Sequence, residues 1–209
     1  HLNHAGSSLP AQLVLDAQLG HLQREAVIGG YEAAAEAAQR TRATHASIAR
    51  LIGADPSEIA RFGSAAEAWM AAFWSIPMAA GQRIIVHDHE YGANAIAFIH
   101  AAKTRGVTID RVPSDEYGQV SVDALAERLQ RADDVALVSL THVPPNGGLV
   151  IPAAAIGQLT RAADVPFLID ACQSIGQLDI DVDEIGCDFL SATGRKYLLG
   201  PRGTGLLYA

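Results

Sequence analysis

The sequence predicts an α/β fold of three layers, with helices on both faces of a mostly parallel sheet. Helical and extended patterns alternate along nearly the whole chain, and the extended runs are almost continuously apolar, as strands covered on both faces must be. No repeat, low-complexity stretch or linker divides the 209 residues, so residues 1–209 are expected to form one large domain.

Each element has its own signal. Leu15, Leu19, Leu22 and Ala26 recur at steps of four, three and four, which predicts an amphipathic helix stopped by Gly29 and Gly30. An alanine-rich helix is expected from Tyr31 to Leu51. The run EIARF is a short strand, followed by Gly63, Ser64 and a helix carrying Trp69, Phe73 and Trp74. RIIVH is a buried strand, and the helix after it ends at Gly106. VTIDRV is a strand, and SVDALAERLQRA is a helix with Ser121 as N-cap. VALVSL is a strand. The loop Pro144-Pro145-Asn146-Gly147-Gly148 follows, then a helix with Ile156, Leu159 and Ala163 on one face. PFLID, CDFLSA and GTGLLYA are the last three strands.

Composition narrows the function classes. Hydrophobic residues at 49% and charged residues at 18% describe an ordinary globular chain rather than a disordered one. A net charge of -8 argues against nucleic acid as a main partner. The two cysteines, Cys172 and Cys187, make no disulfide framework and are expected as small core residues. The N-terminus does not read as a signal peptide, and the apolar runs are interrupted by charges, Pro or Gly. No membrane span is expected, and a cytoplasmic setting is the default.

In open parallel sheets, ligands bind beyond the carboxyl ends of the strands. Asp170 closes the apolar run PFLID, where a carboxylate needs a partner such as a helix N-terminus or a protonated heterocycle. Lys196 follows CDFLSA within SATGRKYLLGPRGTG. Desolvation and a neighbouring cation make such a lysine an amine nucleophile. Thr193 and Arg195 beside it suit an anion. Gly63-Ser64-Ala65-Ala66 joins a strand to a helix, a weak phosphate signal because many such turns exist. Neither a P-loop nor a GxGxxG fingerprint after a strand is present, which argues against a nucleotide-binding protein. Tyr91 could stack on a flat ring or pack on a helix. His87, His89 and Glu90 invite a metal reading, but no further His or Cys at ligand spacing supports one.

Taken in order, these residues resemble the class V aminotransferase family, pyridoxal-5′-phosphate enzymes of type I fold that include cysteine desulfurases, isopenicillin N epimerase-like and hercynylcysteine sulfoxide lyase-like proteins. The resemblance runs from LNHAGSSLP to GPRGTGLLY and is most specific in LIDACQS and SATGRKYLLGPRGTG. It implies that Lys196 holds the cofactor as a Schiff base and that Asp170 pairs with the pyridinium nitrogen. It further implies that Gln173 reaches the phenolic oxygen, that Tyr91 stacks on the ring, and that Ser64, Ala65, Ala66, Thr193 and Arg195 bind the phosphate. Asn146 lies near the family's ring-contacting Asn, one place late, with Pro145 in its slot. Ala66 stands where the family usually has Thr or Ser, and Tyr91 where desulfurases often have His. Family members carry a smaller C-terminal domain, expected to be missing here together with the substrate-carboxylate arginine and any loop cysteine. The N-terminal segment 1–30 is expected near the active site. The resemblance implies a small amino-acid substrate, C–S cleavage first and epimerisation or amino transfer next, and a homodimer. A non-catalytic interaction module is the alternative of another class. The intact Asp170–Gln173–Lys196 set argues against it, because a fold without cofactor has little use for a charged lysine–aspartate pair near its core.

Overall fold

A computed structural model describes residues 1–209. Two helices come first, α1 (Gln12–Ile28) and α2 (Gly30–Ile52), then β1 (Ile59–Phe62) and α3 (Ala65–Ser75). Next are β2 (Arg83–His87), α4 (Gly92–Arg105), β3 (Thr108–Val112), α5 (Val122–Leu129) and β4 (Val135–Thr141). The chain continues through α6 (Ala153–Ala162), β5 (Phe167–Asp170), α7 (Val182–Ile185), β6 (Phe189–Thr193) and β7 (Gly205–Tyr208). The seven strands form one sheet in the order β1-β7-β6-β5-β4-β2-β3. Every pairing is parallel except those of β7, which runs against both β1 and β6. The expected α/β fold with a mostly parallel sheet is therefore the observed one.

The period-2 alternation of strands sorts the core into two layers. Ile84, Val86, Leu137, Leu168 and Leu207 pack on one face, with Trp69, Phe73 and Phe98 from α3 and α4. Ile85, Val138, Leu140, Ile169, Leu190 and Leu206 pack on the other, with Leu125 and Ile156 from α5 and α6. Each such fully buried side chain contributes roughly 1.5–3 kcal/mol. Both faces are covered, which is why these strands read as unbroken apolar runs.

Local signals act as their residue types dictate. Ser121 Oγ accepts from Ala124 N–H and caps α5. Gly106 ends α4 in the left-handed conformation. The four-residue helix α7 was not legible in the sequence; Asp181 nucleates it by accepting from the N–H groups of Asp183 and Glu184. Helix α1 forms where expected but buries none of its residues. The amphipathic stripe is not covered: Leu19 is 48% and Leu22 60% exposed, because α1 meets the rest of the chain chiefly through α2. No helix is long and apolar enough to cross a membrane.

Candidate active site

The parallel strands β2, β4, β5 and β6 end at one edge of the sheet, and antiparallel β7 begins there. A cavity of about 610 Å³ opens at that edge. Ser64, Ala65, Ala66, Tyr91, Asp170, Gln173, Thr193, Arg195 and Lys196 all line it, although they span more than 130 positions of sequence. The topology alone brings these strand-end residues together.

Lys196 is only 7% exposed. Its amine takes part in none of the six ion pairs of the chain. Instead it stands 5.9 Å from the centroid of the Tyr91 ring. A buried amine without a hydrogen-bonding or charged partner is unfavourable unless the site uses it. The turn that carries it is closed by Gly200 N–H donating to Gly194 O at 2.7 Å and Leu199 N–H donating to Lys196 O at 3.1 Å. Leu199 adopts φ 55°, a left-handed conformation that costs a non-glycine residue about 1 kcal/mol or more.

Asp170 ends β5 and is buried. Its Oδ1 accepts from Cys172 N–H at 2.9 Å and its Oδ2 from Asn94 Nδ2 at 3.0 Å, so both oxygens are oriented. Gln173, one turn further, donates from Nε2 to Ala5 O at 3.1 Å, while its buried Oε1 has no partner. Thr193 Oγ1 donates to Thr204 O. Ser64 caps α3 by accepting from Glu67 N–H, which leaves the N–H groups of Ala65 and Ala66 at the helix start facing the cavity. Gly205, the first residue of β7, lies so close to this turn that a Cβ there would run into the Ser64 carbonyl and the Ala65 nitrogen.

The N-terminal residues form part of the wall, as His1, Asn3, Gly6 and Ser7 line the cavity. Ser8 N–H donates to Arg195 O at 2.8 Å, and Arg195 Nη1 donates to Gly6 O. The His4 ring stacks on Tyr197, with centroids 6.0 Å apart. Only this leading stretch of segment 1–30 lines the site; α1 does not.

Two expectations are corrected. Asn146 is exposed and does not line the cavity, whereas Pro145 does. The loop buries Pro144 and turns back through Gly148 (φ 67°), whose N–H reaches Pro144 O, and this sends Asn146 to solvent. Cys187 is a core residue, but Cys172 lines the cavity. Burial first, and then the neighbouring Asp170 charge, push its thiol well up, so it stays protonated. Sequence reasoning also missed Thr141, Arg202 and Thr204, which reach the cavity by way of the sheet edge. Of the residues that suggested a metal, His87 bonds Ser114 Oγ at 3.1 Å and Glu90 bonds Thr141.

These residues fit pyridoxal phosphate. A free buried amine, an oriented carboxylate and an aromatic face match the aldehyde, ring nitrogen and ring, and the Gln173 amide has a donor NH2 that, turned from Ala5 O to the cavity, matches the phenolic oxygen. The helix-start N–H groups with Arg195 match the phosphate.

Comparison with known proteins agrees. The family model described as aminotransferase class-V matches residues 1–209. A probable hercynylcysteine sulfoxide lyase of Mycobacterium tuberculosis is 34% identical over 209 residues, covering 99% of this chain and 50% of that protein. A cysteine desulfurase of Pseudomonas aeruginosa is 33% identical over 202 residues, covering 94% and 47%. An isopenicillin N epimerase of Streptomyces clavuligerus is 31% identical over 169 residues, covering 78% and 41%. The apo structure of a cysteine desulfurase from Thermococcus onnurineus NA1 matches with a TM-score of 0.86 at 20% identity, covering 99% of this chain and 52% of that one, a likeness of fold. The chain spans about half the length of the curated relatives it matches.

Proposed function

Because the chain belongs to the aminotransferase class-V family, whose cofactor is pyridoxal 5′-phosphate, we propose that it acts on a small amino acid and cleaves a C–S bond, as a desulfurase or lyase. The observation that carries the reading is the buried, unpaired amine of Lys196 in one cavity with the oriented carboxylate of Asp170. Bound there, the cofactor supplies a ring that withdraws electrons from the substrate's α-carbon. Lys196 Nζ would hold the cofactor, and its amine, when free, would take and return the α-proton. Asp170 keeps a proton on the ring nitrogen, Tyr91 covers one ring face and Gln173 reaches the phenolic oxygen. Ser64, Thr193, Arg195 and the N–H groups of Ala65 and Ala66 hold the phosphate. A desulfurase and a sulfoxide lyase among the relatives support C–S cleavage. The epimerase relative supports α-carbon inversion as a second outcome of the same first step.

The reading also includes a homodimer, supported by the apolar face of α1, and a reducing, cytoplasmic setting, in keeping with two free cysteines. Protein mixed with pyridoxal phosphate is expected to gain absorbance near the visible edge, and borohydride is expected to fix the label on Lys196. Equal labelling of K196A, or none in the wild type, sinks the proposal. Sulfide or pyruvate release from cysteine-like substrates supports C–S cleavage, while α-deuterium exchange without release replaces it with epimerisation.

A further inference from the structure

Glu90 lies between β2 and α4 and was left without a role above. Its Oε1 accepts from Thr141 N–H and its Oε2 from Thr141 Oγ1, both at 3.0 Å. Thr141 is the last residue of β4 and stands in register with Asp170, the last residue of β5. Asn94, buried in the first turn of α4, donates one hydrogen to Asp170 Oδ2 at 3.0 Å, and the same amide helps hold the proton affinity of the nearby Glu90 carboxyl down. Two carboxyls therefore meet through one amide at the end of the sheet. Capping the Thr141 N–H would explain Glu90's bonds to that residue, but not the buried amide that joins it to Asp170.

Glu90 as a residue is half-buried, yet its carboxyl end is enclosed, and those surroundings govern its proton. Burial first, and the Asp170 charge second, push it up to about 8, against the pull of its Thr141 and Asn94 bonds. At neutral pH Glu90 thus keeps its proton. Lys196 and Cys172 lie near Asp170, His142 N–H donates to Asp170 O at 2.9 Å, and Tyr91 adjoins Glu90 in the chain.

We propose that Glu90 and Asn94 are positioning residues for Asp170, with Asn94 aiming its Oδ2 and Glu90 fixing Asn94 in place. The inference rests on the reading that Asp170 faces the ring nitrogen of bound pyridoxal phosphate. Two measurements test it. In the protein alone, the Glu90 carboxyl is followed by carbon NMR against pH. D170N is expected to lower its midpoint by about one unit or more, and N94A to raise it. An unchanged midpoint in both variants overturns the coupling. In the loaded protein, the resonance of ring-labelled ¹⁵N-pyridoxal phosphate reports the ring proton. D170N, N94A and E90A are all expected to shift it in the same direction, and the isosteric E90Q to restore it. A D170N shift with N94A and E90A at the wild-type position overturns the inference and leaves the reading of Asp170 standing. No shift in D170N overturns that reading itself. Should N94A not fold, E90A and E90Q decide the matter.

Discussion

Two buried side chains pull the stability of this chain in opposite directions with pH. Glu90 is pushed from 4.5 up to about 8, so the folded form keeps a proton that the unfolded form has lost. That stability is fully present below pH 4.5 and is lost as pH rises through 8. His142, buried and bonded through Nδ1 to Ser174 Oγ at 3.0 Å, is pushed from 6.5 down to about 4 by burial. Its folded form refuses a proton that the unfolded form accepts, so its stability is present above pH 6.5 and is lost as pH falls through 4. From pH 4.5 to 6.5 the two slopes cancel. Between 6.5 and 8 only Glu90 acts, and a loss of about 1 to 2 kcal/mol is expected. Exposed pairs such as Arg24–Glu36 add little against solvent screening. Denaturant unfolding at pH 6 and pH 8 measures the loss, and E90Q should flatten the difference. A wild-type loss retained in full by E90Q assigns it elsewhere.

At the scale of elements, the start of α3 and the start of β7 are locked together. A side chain at Gly205 has no room beside the backbone of Ser64 and Ala65. G205A is expected to destabilise the fold by about 1–3 kcal/mol and to displace the N–H groups that would hold a phosphate. G157A is its control, since a Cβ there strikes the Ile185 carbonyl between α6 and α7, away from the cavity. Both variants should lower the unfolding midpoint, but only G205A should also weaken binding of pyridoxal phosphate, read by fluorescence titration. Equal binding by the two would separate β7 from the phosphate turn. The same contrast shows what a sequence exposes. Asp170, Lys196 and Ser64 were legible because each lies at or within three residues of a strand end and carries a polar group where the apolar run stops. Asn94, Thr141 and Arg202 were not. Asn94 reads as one polar residue in an ordinary helix, and only the packing of α4 on the sheet end brings its amide to Asp170. Asn146 was misplaced because a loop's direction depends on how its prolines and glycines turn, not on their order alone.

At the scale of the whole molecule, helix α1 is left uncovered within residues 1–209. Helix α1 carries Leu13, Leu15, Leu19, Leu22 and Val27, all of them exposed, and none of its residues is buried. The Leu15–Leu19–Leu22 periodicity that predicted this helix finds no partner within residues 1–209, and an exposed apolar stripe of this kind marks an interaction surface. A second copy is the partner proposed above, since a two-fold contact can pair the same stripe with itself. Sedimentation velocity is expected to show a dimer for the wild type, and the double substitution L19E/L22E should shift it to a monomer while leaving the circular dichroism of the fold unchanged. Residues 1–8 link this surface to the cavity, because they lead directly into α1 and are held by Arg195 and Gln173 beside Lys196. Dissociation should therefore also loosen pyridoxal phosphate, with a several-fold weaker affinity in L19E/L22E than in the wild type. A wild-type monomer, or a dimer unaffected by L19E/L22E, removes α1 as the contact.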